Sequence, residues 1–137
     1  MSAPHERWFQ KADHDLANAR IVLDAKDVPS RPLDTVCFHC QQAVEKYLKG
    51  FLTFKGIEFR KEHDLEYLLD PCIRENASFG QIENVAEAMN GYGVAIRYPT
   101  DFMVDYTEEE AGAALKWAGQ VSDFVRSKID DPNKASG

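Results

Sequence analysis

Leu33 to Leu52 reads LDTVCFHCQQAVEKYLKGFL. Apolar residues fall at Leu33, Val36, Cys37, Cys40, Ala43, Val44, Tyr47, Leu48, Phe51 and Leu52, in steps that alternate threes and fours. That spacing draws one continuous stripe along an α-helix of about five turns. Ser30 and Pro32 suit the entry to such a helix, and Gly56 stands where it would stop. A helix so apolar on one side must be covered by other helices. Its other side carries His39, Gln42, Glu45, Lys46 and Lys49, where a function of this helix would lie.

The flanking segments supply the covering helices. Trp8, Phe9, Ala12, Leu16, Ala19 and Leu23 mark the buried face of a helix from about His5 to Lys26. The following Asp27-Val-Pro-Ser-Arg-Pro is rich in residues that stop helices. After a polar connection holding Ile57 and Phe59, Asp64 is an N-cap for a third helix with Leu65, Leu68 and Leu69 on its apolar face. Pro71 is expected to end or kink that helix within two turns.

Ser78 with Gln81 reads as a capping box for a fourth helix, buried through Ile82, Val85, Ala86 and Met89 and ended by Gly91 and Gly93. Thr107 with Glu110 is a second capping box. It opens a last helix to about Ile129, striped by Ala111, Ala114, Leu115, Ala118, Val121, Val125 and Ile129. No stretch alternates strongly enough to be a strand. The expected fold is all-α, an up-and-down antiparallel bundle of four to five helices, with residues 1–129 as one domain and 130–137 as a flexible tail.

Composition narrows the function. At 137 residues the chain can bury one core without metal or disulfide staples. No apolar run reaches the roughly 18 residues of a membrane span, and MSAPHERWFQ lacks an apolar signal segment, so a cytoplasmic location is expected. A net charge of −7 argues against non-specific coating of nucleic acid. Yet Lys46, Lys49, Lys55, Arg60 and Lys61 outnumber Glu58 and Glu62 between Lys46 and His63. Such a patch suits a small anionic ligand or a short RNA, or it is a solvated helix end.

The three cysteines, Cys37, Cys40 and Cys72, do not make a disulfide framework. Cys37-Phe-His-Cys40 has C-x-x-C spacing, but both sulfurs lie on the apolar stripe and no second ligand pair follows, so they read as buried structural cysteines. No metal site and no cofactor is expected. Nothing matches a phosphate loop or a dinucleotide fingerprint.

Taken together, Cys37-Phe-His-Cys-Gln-Gln-Ala-Val-Glu-Lys-Tyr-Leu-Lys49 resembles the central helix of HEPN domains (higher eukaryotes and prokaryotes nucleotide-binding). His63-Asp64-Leu65 is similar to the family's HDL start of the third helix, and Arg97-Tyr98-Pro99 to its RYP segment before the last helix. The likeness runs from about Arg7 to Ile129. It implies a helical bundle, usually a homodimer, near nucleotides or RNA, and a pairing with a minimal nucleotidyltransferase as in toxin–antitoxin couples.

Some members are metal-independent ribonucleases with an R-x4-6-H motif, in which Arg binds phosphate and His moves the proton. This chain departs from that pattern. No histidine follows Arg97, and the one pair with matching spacing, Arg7 and His14, lies on the first helix. Without that His the usual proton carrier is missing.

The candidate ligand-binding residues are therefore Arg97, Tyr98, Lys46, Lys49, Gln42 and His63, with Arg97 and His63 as the candidates for catalysis. Each has a plainer reading. Arg97 could pair with Glu45 or Asp64, His63-Asp64 could serve only the helix cap, and Glu45 with Lys49 could pair on the surface. Two functions follow: a non-catalytic nucleotide- or RNA-associated dimeric module that works with a nucleotidyltransferase, or a ribonuclease with an atypical site. Tyr92, Tyr98, Phe102 and Tyr106 form an aromatic group that either makes a dimer surface or caps the core.

Overall fold

The structure, a computed structural model, describes residues 3–90, 92 and 105–129. The described residues form five α-helices and one 3-10 segment, with no strand: α1 (Pro4–Asp24), α2 (Leu33–Phe54), α3 (Leu65–Glu75), the 3-10 segment Ala77–Ile82, α4 (Glu83–Met89) and α5 (Glu108–Ile129). Helix α2 is the centre, touched by α1, α3, α4 and α5. Every apolar residue of its stripe from Val36 to Leu52 is buried, as the spacing requires.

Local chemistry sets most helix ends. The Asp64 side chain accepts from the Glu66 and Tyr67 N–H groups at 2.9 and 3.4 Å, so Asp64 is the N-cap of α3. Thr107 and Glu110 form the reciprocal box, each bond 3.0 Å, that opens α5. Gly56, at φ 70°, closes α2: its N–H bonds to the Thr53 carbonyl and that of Ile57 reaches back to Leu52, a Schellman stop. The Arg31 guanidinium donates to the Leu23 carbonyl at the end of α1 and pairs with Glu108 at 3.0 Å, tying the α1–α2 turn to the start of α5.

Three expectations are corrected. Helix α1 is Pro4–Asp24, so it starts a residue earlier and stops two residues sooner than the pattern indicated. Pro71 lies inside α3, which continues to Glu75; burial of Leu68, Leu69 and Cys72 holds the helix across the missing N–H. Ser78 is not an N-cap. Asn76 is, accepting from the Ser78 N–H at 3.0 Å and its hydroxyl at 2.6 Å, and residues 77–82 wind as a 3-10 segment before α4 begins. Gly91 and Gly93 lie outside the described residues.

Gly50 marks the closest approach of α1 to α2. A Cβ there would stand 2.5 Å from the Phe9 ring and 3.2 Å from the Trp8 Cβ. Gly50→Ala is expected to push α1 outward and cost about 1–3 kcal/mol, read as a lower urea midpoint.

Candidate functional site

The polar flank of α2 is built from three clusters of charge. In the first, Asp15 of α1 is buried between two α2 side chains: His39 Nδ1 lies 3.2 Å from one carboxylate oxygen and Lys46 Nζ donates to the other at 2.6 Å. Gln42, one turn before Lys46, donates to the Gln41 side chain at 2.9 Å.

In the second cluster Glu45 is only 2% exposed. Lys49 Nζ donates to one of its oxygens at 3.1 Å, and His63 Nδ1 lies 2.9 Å from the other. The His63 side chain itself is 59% exposed, so its far edge faces solvent while Glu45 fixes the near one. Buried Gln41 donates to the His63 carbonyl at 3.2 Å, holding the backbone where the HDL turn enters α3. The ammonium of Lys49 also sits 5.4 Å from the centre of the Trp8 ring and 6.0 Å from that of Phe59.

The third cluster joins α1, α2 and α5. Tyr47 donates its hydroxyl to Asp13 at 2.6 Å, Arg126 donates to the other Asp13 oxygen at 2.7 Å, and Arg126 also reaches Ser122. Asp13, Tyr47 and Ser122 line a groove of about 600 Å³ between α1 and α5, with Leu16, Arg20 and Lys116 at its sides.

Of the candidate ligand-binding residues, the structure brings Gln42, Lys46, Lys49 and His63 together on or beside one flank of α2. Arg97 and Tyr98, with Pro99, lie outside the described residues. The expected Glu45–Lys49 pair exists, but it is buried rather than on the surface, because α1 and the loop carrying Phe59 cover it. Asp13 and Asp15 were not anticipated. Their signal was available in part: a tyrosine on a buried stripe needs a partner for its hydroxyl, and Asp15 falls between Ala12 and Ala19 at core spacing. Tyr92 and Tyr106 stack edge to face at 5.2 Å against the core, whereas Tyr98 and Phe102 lie outside the described residues.

Cys37, Cys40 and Cys72 are free and buried, and burial pushes each thiol up to about 12. Burial, then the bond to Asp13, likewise raises Tyr47 to about 12. In the unfolded chain these groups ionise from about 9 and 10, so above pH 9 the unfolded state loses protons that the fold retains. Their contribution is complete below pH 9 and is lost as pH rises toward 12. A urea midpoint measurably lower at pH 10.5 than at pH 8 is expected.

Among the described residues no group of three or more His, Cys, Asp or Glu is arranged to hold a metal ion, and no helix is long and apolar enough to cross a membrane. The central helix and the Asp64 cap of the HDL turn agree with the resemblance, and the buried Glu45 beneath His63 is what the structure adds to it. The HEPN domain profile matches residues 5–128, and the chain belongs to the HEPN domain family. It is 27% identical over 138 residues to "Putative toxin MJ1304" of Methanocaldococcus jannaschii, covering 90% of this chain and 87% of that relative. The crystal structure of ST0689, an archaeal HEPN homologue, matches the fold with a TM-score of 0.74 at 27% identity, over 94% of this chain and all of that one.

Proposed function

We propose that this HEPN protein is one half of a toxin–antitoxin-like pair: a dimeric, nucleotide- or RNA-associated module, without catalysis of its own, that works in the cytoplasm with a separate minimal nucleotidyltransferase. The carrying observation is that the ionisable groups of the central flank are engaged with one another. Asp15 holds His39 and Lys46, and Glu45 holds Lys49 and His63. Such groups position a binding surface, and no histidine follows Arg97 to act as the family's usual proton carrier. The name of the M. jannaschii relative supports the toxin side of this reading. In this reading Gln42, Lys46 and His63, with Arg97 and Tyr98, meet the ligand, and Lys49 steadies them from beneath.

One feature favours a second reading, a ribonuclease. A buried carboxylate on Nδ1 of an exposed imidazole is the arrangement that readies the other nitrogen to take a proton. There His63 Nε2 would take the 2′-hydroxyl proton as that oxygen attacks phosphorus and the P–O5′ bond breaks; the leaving 5′-oxygen takes a proton from water, and a 2′,3′-cyclic phosphate and a 5′-hydroxyl form.

One experiment separates the two. The chain is purified alone and together with a nucleotidyltransferase encoded beside it, then assayed for complex formation, for thermal shift with nucleotides and short RNAs, and for RNA cleavage. A stable complex with RNA left intact supports the module. Cleavage lost in His63→Asn supports the ribonuclease, and failure to bind either partner or ligand overturns the module.

A further inference from the structure

Three acids of α1 have partners. Asp13 is taken by Tyr47 and Arg126, Asp15 by His39 and Lys46, and Glu6 accepts from the Ala3 N–H at 3.0 Å. Arg7, Lys11 and His14 follow one another at helical spacing on the outer side. All three are exposed, and among the described residues none makes an ion pair or hydrogen bond. A protein of net charge −7 thus presents a basic ridge along its first helix.

Beside that ridge lies an aromatic step. Pro4, Arg7, Trp8 and Lys11 line an open notch of about 360 Å³. The half-buried Trp8 ring is backed by Phe59, 6.2 Å between centroids, and by the Lys49 ammonium. An indole held in place by its neighbours and flanked by two unpaired cations matches the two parts of a single-stranded nucleic acid, a flat base and the phosphates on either side of it.

We propose that the outer face of α1 binds single-stranded RNA, with a base stacked on Trp8 and the backbone following Arg7, Lys11 and His14. This deepens the RNA-associated reading above and rests on it, and it adds α1 as a contact for the strand beside the α2 flank and Arg97.

The test uses a ten-nucleotide adenosine RNA and the indole fluorescence of Trp8, in a Trp117→Phe background so that one tryptophan reports. Quenching on titration is expected. Arg7→Gln with Lys11→Gln, both at exposed positions, should weaken binding and flatten its log–log salt dependence by about 0.7 per contact removed. Trp8→Leu, followed by the mobility shift of labelled RNA, should weaken binding about fivefold or more and leave the salt slope unchanged. Melting temperatures of the variants show that they remain folded, and the Arg7/Lys11 variant stands as evidence even if Trp8→Leu does not fold. RNA bound by wild type and the α1 variants alike overturns this inference while leaving the module reading intact. If the wild type binds no RNA, the inference falls, and complex formation with the nucleotidyltransferase decides the module reading by itself.

Discussion

Glu45→Ala is expected to lower stability by about 3 kcal/mol, one of the largest losses available from a single side chain outside the apolar core. Glu45 and Lys49 are both nearly inaccessible, their side chains 3% and 9% exposed. Removing one member of a buried pair leaves the other charged and unmatched, which costs about 3–5 kcal/mol. The Trp8 and Phe59 rings near the ammonium return part of that, which places the loss at the lower end of the range. His63 also loses the acid that fixes its ring.

The matching control is Glu45→Leu with Lys49→Met, which replaces the pair by apolar groups of similar bulk. It should be close to wild type in urea unfolding, because the desolvation cost of the pair disappears along with its attraction. A single variant as stable as the double would mean that water reaches Lys49, and the buried-pair account would be wrong.

That pair also shows how far the sequence could be read. The stripe of α2, the Asp64 cap and the Thr107–Glu110 box were legible because each depends on residues within about four positions of one another. The HDL and Gln-Gln-Ala patterns added the family and with it the bundle. Burial of Glu45 and Asp15 was not legible in the same way. It depends on α1 lying across α2, which brings Asp15 to Lys46 from 31 residues away and Trp8 over Lys49.

Charge at helical spacing looks the same whether a neighbour covers it or not. The choice of Ser78 as the cap failed for a related reason: Asn76 is an equally good cap residue, and the 3-10 winding that selects it follows from packing the segment after it.

Phe79, which no apolar periodicity singled out, is where that packing is decided. It is fully buried in the 3-10 segment, 4.4 Å from the Phe51 ring of α2 and 5.0 Å, edge to face, from Phe124 of α5. A six-residue 3-10 segment has weak hydrogen bonds of its own, so its place in the fold rests on this side chain and on Ile82. Phe79→Ala is expected to cost about 3–5 kcal/mol, since the cavity between two helices and a segment held at both ends cannot close fully. For a domain of this size that is a fall of about 10–20 °C in melting temperature. The loss should be local before it is global. Limited proteolysis under native conditions should cut the variant first within residues 76–83, while Phe124→Leu, which keeps most of the volume on the α5 side, should show neither the early cut nor the large fall in Tm. Equal protection of residues 76–83 in wild type and Phe79→Ala would mean that α4 and Ile82 hold the segment without the ring.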